Sequence, residues 1–179
     1  RQLKPLRAAP RPSCSRRMCC SRLAVVASVD SSSRANTATI VGAGISGLAA
    51  AIALRKAGWE VSVFERATEL KQNAGTGLAI WPNGMKSLMQ IDEELGQAVK
   101  DAGCCIETMG MKTLDGSVDM SNPSMLEDQY GQPLVCIQWS SLQQVLYSFL
   151  PEGTVTLGCK FTGYEVSGSD DMPGNITAR

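Results

Sequence analysis

The chain has 179 residues, which is enough for one moderate domain with a hydrophobic core but leaves little room for two full domains. Its formal net charge is zero, yet residues 1–35 hold eight of the 17 basic side chains and a single acid, Asp30. The remaining residues carry nine basic and 16 acidic side chains, a balance that argues against a nucleic-acid-binding surface. The sequence has no histidine, which excludes a Cys/His zinc site and a Ser-His-Asp triad within this chain.

Cysteine usage predicts no metal site and no disulfide framework. The number of cysteines is odd and no pair has CxxC spacing; they are Cys14, Cys19, Cys20, Cys104, Cys105, Cys136 and Cys159. Such a pattern predicts reduced thiols in an intracellular compartment. We expect the four cysteines beyond residue 100 to be small side chains of the core.

The N-terminal 35 residues are rich in Arg, Ser, Ala and Pro and have no long apolar run. This composition is typical of an organelle transit peptide rather than a secretory signal. The segment Val25–Ser28 resembles a plastid processing site, so a chloroplast address is predicted, with a mitochondrion as the alternative. A disordered basic linker and a nucleic-acid-binding arm are the other interpretations. The chain begins with Arg rather than Met, so we expect that a longer N terminus precedes it.

Residues 37–66 form the most informative stretch, TATIVGAGISGLAAAIALRKAGWEVSVFER. An apolar strand leads into the glycine motif GxGxxG, which is followed by an alanine-rich helix over 45–57 and a second strand over 60–65. This order predicts a dinucleotide-binding unit, in which a tight glycine turn places a helix N-terminus against a pyrophosphate. The alternatives are a hydrophobic strand and helix with incidental glycines, or a membrane span, for which the uncharged run over 38–54 is slightly short and only modestly apolar.

Individual roles within this unit follow from the motif. The backbone N–H groups of the turn are expected to bind the pyrophosphate; these belong to Gly42, Ala43, Gly44, Ile45, Ser46 and Gly47. Glu65 lies 18 residues after Gly47, close to the spacing of about 20 expected for an acid that binds ribose hydroxyls.

The same stretch resembles the ADP-binding segment of FAD-dependent oxidoreductases, whose pattern is GxGxxGLxxAxxLxxxGxxVxVxE with a basic residue after it. The matching positions are Leu48, Ala51, Leu54, Gly58, Val61, Val63, Glu65 and Arg66. The resemblance implies that FAD is the dinucleotide, that Glu65 binds the adenosine ribose and that Arg66 lies beside the adenine end.

A second segment, GTGLAIWPNG over 75–84, indicates which family of FAD-dependent oxidoreductases the chain resembles. With the apolar helix after it, it is similar to the GxGxxLxPNxxxxL segment of class A FAD-dependent monooxygenases, a family that includes the aromatic hydroxylases and the plant zeaxanthin epoxidases. Gly77 is the further cofactor-binding residue predicted here; an ordinary surface loop is the alternative. In that family NAD(P)H reduces FAD, and the reduced flavin uses O₂ to hydroxylate or epoxidise an apolar or aromatic substrate.

Beyond this segment the pattern predicts two short helices over 84–102, a hairpin over 105–120 with its turn at Asp115-Gly116, and a loop over 121–133. A strand over 134–139 and a helix capped by Ser140 follow, and then further strands over 154–166. The last helix is similar to the family's RxxLxxxL element, in which an Arg or Gln reaches the flavin. Trp139 occupies that position in this chain, so we do not transfer the cofactor-contacting role.

Two later signatures of the family, a DG-containing motif and a GD motif, are not found in the sequence; the one Asp-Gly pair, Asp115-Gly116, lies in the predicted hairpin without the surrounding residues of the family's motif. The chain is therefore expected to be the N-terminal portion of a flavoprotein. The predicted fold is α/β: a Rossmann-like FAD-binding domain of the p-hydroxybenzoate hydroxylase type with an inserted β-sheet substrate region, apparently truncated. The predicted divisions are a tail (1–35), the first part of the FAD-binding domain (36–103), the start of a substrate-domain sheet (104–139) and an incomplete return segment (140–179).

Three functions stay open at this point. The first is an FAD-dependent monooxygenase that takes NAD(P)H, O₂ and a small apolar or aromatic substrate, with isoprenoids among the candidates. The second is another oxidoreductase, such as a flavin-dependent dehydrogenase or reductase. The third is a truncated, non-catalytic nucleotide-binding protein. No general acid or base is nominated, and neither a nucleic-acid partner nor a transmembrane segment is predicted.

Overall fold

A computed structural model describes residues 24–28, 36–70, 75–117, 119–167 and 175–178. The strands are β1 (Ala24–Ser28), β2 (Thr37–Val41), β3 (Glu60–Phe64), β4 (Gly77–Ile80), β5 (Cys104–Cys105), β6 (Thr108–Lys112), β7 (Asp119–Pro123), β8 (Val135–Gln138), β9 (Val155–Thr156), β10 (Tyr164–Ser167) and β11 (Asn175–Ala178). The helices are α1 (Ile45–Lys56), α2 (Pro82–Ile91), α3 (Glu93–Ala102), α4 (Leu126–Tyr130) and α5 (Trp139–Ser148).

A four-stranded sheet in the order β1-β2-β3-β9 carries the glycine motif. The strands β2, β3 and β9 run parallel, with Ala38 opposite Val61 and Ile40 opposite Val63, whereas β1 pairs with β2 in the antiparallel sense. Helix α1 connects β2 to β3, as a strand-helix-strand unit of a parallel sheet requires. The buried positions alternate along both strands and belong to the same core as the inner side of α1.

A second, antiparallel sheet has the order β4-β8-β5, with β8 in the centre. Helix α5 begins directly after β8 and packs against α1 and α3, so its buried Leu142 and Leu146 join the core around α1. The strands β6 and β7 form a hairpin of their own, as do β10 and β11. The segment between β5 and β8 is thus an excursion that leaves this sheet and returns to it.

Helices α2 and α3 pack against each other and are joined through Asp92. The Asp92 side chain caps α3 by accepting hydrogen bonds from the N–H groups of Glu94 (2.8 Å) and Leu95 (3.2 Å). It also forms an ion pair with Lys56 at the end of α1. The hydrogen bond from Lys56 is the main reason why the pKa of Asp92 is lowered, and Asp92 in turn raises the pKa of Lys56. The three acidic residues over 92–94 therefore form the cap and first turn of α3, where negative charge is favourable.

The predicted elements are confirmed with four differences. Ser140 does not cap α5: the cap residue is Gln138, and Ser140 is buried inside the first turn. The region predicted as a loop over 121–133 contains the end of β7 and the short helix α4. The four cysteines beyond residue 100 are not core residues, because Cys104, Cys105 and Cys136 are exposed and Cys159 is half-buried. Finally, β5 pairs with β8 rather than beginning the hairpin.

The α/β class with a Rossmann-like unit is confirmed, and an antiparallel sheet accompanies it. The predicted tail lies outside the described residues except for β1, and the stretch over 168–174 also lies outside them. Within the described part of the chain, no helix has the length and apolar character that a membrane span needs.

Candidate functional site

The turn between β2 and α1 has a geometry that depends on two glycines. Gly42 has a φ of 103°, which favours glycine, and its N–H donates to the carbonyl of Phe64 at 2.8 Å. A Cβ on Gly47 would lie 2.0 Å from the carbonyl oxygen of Gly42, so any side chain there would force the helix away from the turn. Both glycines are therefore required for α1 to begin this close to the end of β2.

Helix α1 begins with its first-turn amides free of side-chain caps. Gly44 is the cap residue and offers no side chain, and the first turn contains no acidic residue. The first N–H groups of a helix have no partner within the helix, and the helix dipole makes this end positive. The start of α1, with Ile45, Ser46 and Gly47, therefore suits an anionic group such as a phosphate.

Glu65 lies next to this turn, one residue after β3, and both of its carboxylate oxygens accept backbone hydrogen bonds. Oε2 accepts from the N–H of Ala43 at 2.8 Å, and Oε1 accepts from the N–H of Ala67 at 2.9 Å. A carboxylate offers about four acceptor positions, so Glu65 retains capacity for hydroxyl donors. The structure thus joins the acid and the glycine turn, which are 22 residues apart in the sequence.

Gln143 is the residue of this site that sequence reasoning missed. Its Nε2 donates to the carbonyl oxygen of Ala43 at 2.7 Å, and the side chain is buried on α5, 100 residues away in the sequence. Ala43 is itself fully buried. The sequence feature that could have indicated this role is a polar side chain on the apolar face of α5, since Gln143 lies three residues before the buried Leu146.

The segment that contains Gly75 and Gly77 contacts Trp139. Gly75 has a φ of 93°, and a Cβ there would lie 3.0 Å from the Cβ of Trp139. The N–H of Trp139 donates to the carbonyl of Thr76 at 3.1 Å. Gly77 is exposed within β4 and its position has open space around it. Arg66 is also exposed, directly after Glu65.

Other features of the surface do not join this site. An open groove on α2 and α3 contains none of the predicted cofactor-binding residues; it is lined by Lys86, Met89, Gln90, Ile91, Asp92, Glu93, Glu94, Gln97 and Gln132. Among the residues that the structure describes, no group of acidic or cysteine side chains is arranged to hold a metal ion.

Comparison with known proteins agrees with this geometry. The family of NAD(P)-binding Rossmann-like domains matches residues 40–78, which contain the glycine turn, Glu65 and the start of β4. FAD-dependent urate hydroxylase of Mycolicibacterium vanbaalenii is 35% identical over 128 residues, which are 70% of this chain and 32% of that protein. Hispidin-3-hydroxylase of Neonothopanus nambi is 36% identical over 108 residues, which are 60% of this chain and 25% of that protein.

Among solved structures, Klebsiella pneumoniae HpxO complexed with FAD and uric acid has a similar fold. Its TM-score is 0.63 at 22% identity, and the match covers 78% of this chain and 36% of that chain. The chain therefore spans a quarter to about a third of the length of these proteins.

Fold and site together define a dinucleotide-binding domain of the Rossmann type. The resemblance to class A FAD-dependent monooxygenases is confirmed, since the chain is a relative of FAD-dependent hydroxylases and monooxygenases and shares its fold with a protein whose structure contains FAD.

Proposed function

We propose that this chain is the FAD-binding portion of an NAD(P)H-dependent flavin monooxygenase. The observation that carries the proposal is the hydrogen bond of 2.8 Å between the Ala43 N–H and Glu65. Because of this hydrogen bond, the uncapped N-terminus of α1 and the Glu65 carboxylate lie at the same turn, and the carboxylate can still accept further hydrogen bonds. A pyrophosphate and a neighbouring ribose need this combination of an anion site and a hydroxyl acceptor.

The residues present fit the ADP half of FAD. The N–H groups of Gly44, Ile45, Ser46 and Gly47, at the start of α1, would hold the pyrophosphate, with Gly42 shaping the turn. Glu65 would accept hydrogen bonds from the ribose, and the exposed Arg66 would lie beside the adenine. Ala43 has a different role from its neighbours, since its N–H already donates to Glu65 and orients that carboxylate.

Bound FAD would supply the redox chemistry, with NAD(P)H as the reductant and O₂ as the oxidant. The part of the chain that the structure describes would bind and orient the cofactor. The relatives are named for the hydroxylation of urate and of hispidin. For this chain we propose a small apolar or aromatic substrate, with isoprenoids among the candidates.

One observation favours a second candidate, a non-catalytic nucleotide-binding protein. Trp139 packs on Gly75 at the position where the resembled family has a polar residue that contacts the flavin. Another flavin-dependent dehydrogenase or reductase is the third candidate. Turnover of NAD(P)H with substrate-dependent oxygen consumption separates the first candidate from both of the others.

The first experiment is a titration of the purified chain with FAD, followed by gel filtration and an absorbance spectrum. We expect flavin absorbance to stay with the protein and ADP to compete for the same site. A protein that stays colourless and does not bind ADP would contradict the proposal.

The ribose contact is tested with Glu65→Gln, which removes the charge but keeps the size of the side chain. Hydrogen bonds to charged groups contribute about 1.5–3 kcal/mol, so FAD binding should weaken by about 10- to 100-fold. The matched control is Glu69→Gln, which changes an exposed glutamate on the same connection and should leave the Kd within about twofold.

We also propose that the N-terminal segment is a chloroplast transit peptide, with a mitochondrion as the alternative address. The supporting observation is the basic, acid-poor composition of residues 1–35. The test is a fluorescent fusion of these residues, incubated with isolated chloroplasts and with isolated mitochondria. Uptake and shortening in chloroplasts alone is the expected result, and retention outside both organelles would overturn the proposal.

A further inference from the structure

Two cysteines that are distant in the sequence face each other across the antiparallel sheet. Cys104 of β5 and Cys136 of β8 are direct partners in the ladder, and both are exposed. The neighbouring Gly103 allows a close approach here, since a Cβ at that position would lie 3.0 Å from the carbonyl oxygen of Cys136. The two cysteines are 32 positions apart in the sequence, and the excursion that contains β6, β7 and α4 lies between them.

The type of ladder pair fixes the separation of the two backbones. The N–H of Ile106 donates to the carbonyl of Leu134 at 2.9 Å, which marks that pair as hydrogen-bonded. Pair types alternate along an antiparallel ladder, so Cys104 and Cys136, two residues away, form a hydrogen-bonded pair as well. Such pairs have Cα atoms about 5.5 Å apart, inside the range of about 4.4–6.8 Å that a disulfide spans. Their Cβ atoms are also about 5.5 Å apart, beyond the range of about 3.5–4.5 Å in a relaxed disulfide, so bond formation has to draw the two-residue edge strand β5 towards β8. The resulting disulfide is strained and therefore easily reduced.

We propose that Cys104 and Cys136 form a reversible disulfide that closes the base of this excursion. Both side chains project from the same exposed face of the sheet, because they are opposite one another in register. The Cys104 thiol contacts the carbonyl of Cys105 at 3.7 Å, a weak hydrogen bond that an exposed side chain can exchange for the bond to Cys136.

The oxidant in this proposal is a low-molecular-weight disulfide such as oxidised glutathione. One cysteine thiolate attacks a glutathione sulfur, which forms a mixed disulfide and releases one glutathione. The second cysteine then attacks the protein sulfur of that mixed disulfide and releases the second glutathione. The cysteine pair loses two electrons and two protons, and the one molecule of oxidised glutathione takes them up and becomes two molecules of reduced glutathione.

Cys105 provides a matched comparison. It is adjacent to Cys104 and equally exposed, but its ladder partner is the buried Val135, so it belongs to the opposite face of the sheet. In the test variant every cysteine except Cys104 and Cys136 is replaced by serine. In the control variant every cysteine except Cys105 and Cys136 is replaced.

Both variants are equilibrated with glutathione over a range from fully reduced to fully oxidised, and free thiols are then alkylated and counted by mass. We expect the test variant to lose both thiols as a monomer, at a glutathione ratio about tenfold more reducing than the control requires. Dithiothreitol should restore both thiols. Equal oxidation of the two variants, or only mixed disulfides and dimers, would overturn the proposal.

Because the substitutions could prevent folding, the unaltered 179-residue chain is oxidised and mapped in parallel. A peptide that links Cys104 to Cys136 is the expected product. A dominant link between any other two cysteines would contradict the assignment.

Discussion

Ala43 is held from two directions by side chains that come from distant parts of the sequence. Its N–H donates to Glu65 and its carbonyl accepts from Gln143, both within 2.8 Å. The peptide groups on either side of this residue are therefore fixed before any ligand binds. Preorganised backbone donors bind an anion without the cost of ordering the loop, so the rigidity of this turn is itself a part of the proposed site.

Gln143→Leu should show what this hydrogen bond contributes. The variant keeps the volume of the side chain but leaves the buried carbonyl of Ala43 without its donor, at a cost of about 1–3 kcal/mol. We expect lower stability towards urea and weaker FAD binding. The control is Gln144→Leu, which changes the exposed neighbour and should alter neither by more than about 0.5 kcal/mol. Equal effects of the two substitutions would show that the hydrogen bond from Gln143 to Ala43 does not contribute to stability or to FAD binding.

Gly47→Ala tests the close approach of α1 to the turn. The added Cβ would lie 2.0 Å from the Gly42 carbonyl oxygen, and overpacking of this kind costs about 1–3 kcal/mol. A urea titration should show the loss, together with reduced FAD binding. Gly77→Ala is the control for stability, because Gly77 has open space around it. A Gly47→Ala variant as stable as the unaltered chain would contradict the geometry of the turn.

At the scale of elements, the hairpin β6–β7 depends on the carboxylate of Asp115 in its turn. Hydrogen bonds from the side chain of Thr113, and from the backbone and side chain of Ser117, lower the pKa of Asp115 to about 2. Because the folded pKa is below the ordinary value of 3.8, this contribution to stability is complete above that value. It is lost as the pH falls through about 2.

An NMR titration of the Asp115 carboxyl group from pH 6 downwards is the measurement. We expect a midpoint of about 2, and we expect Asp115→Asn to remove the transition together with the pH dependence of amide exchange in the turn. A midpoint at the ordinary value of 3.8 would show that these hydrogen bonds do not form in solution.

The elements differ in how far the sequence could predict them, and local chemistry explains the difference. The β2–α1–β3 unit was predicted because buried and exposed residues alternate along its strands and its helix is rich in alanine. Its glycines also occupy positions where a side chain would be strained or would clash. Gln143 and the partner of β5 were missed because both depend on long-range contacts, which no local pattern encodes. Ser140 was assigned to the cap of α5 by residue type alone. In the structure the cap is two residues earlier, and Ser140 is buried in the first turn of the helix.

At the scale of the whole molecule, α5 connects the two sheets. It leaves β8 of the antiparallel sheet and packs on α1 of the parallel sheet, with Gln143 bonded to the glycine turn. Helix α5 is therefore a direct structural connection between the sheet at the base of the excursion and the proposed cofactor site. The disulfide between Cys104 and Cys136 would act at the far end of this connection.

The outer strands of the sheet that carries the glycine motif, β1 and β9, are short. We therefore predict that the folded chain is only marginally stable. The strand β9 has two residues, and among the residues that the structure describes it pairs with β3 alone and β1 pairs with β2 alone. Thermal unfolding of the purified chain without ligand should be broad, and FAD should sharpen it and raise the Tm. Sharp, cooperative unfolding in the absence of ligand would contradict this prediction.

The antiparallel pairing of β1 has a consequence for the proposed removal of the transit peptide. In doubly wound sheets the first strand of the glycine unit has a parallel neighbour on each side, and here β1 occupies one of those places beside β2. The residues that resemble a plastid processing site lie inside β1 itself. Cleavage there would remove the strand that covers β2 and expose a row of unpaired N–H and C=O groups. With the processing that we propose, the edge of β2 that β1 covers would become free to pair with another strand.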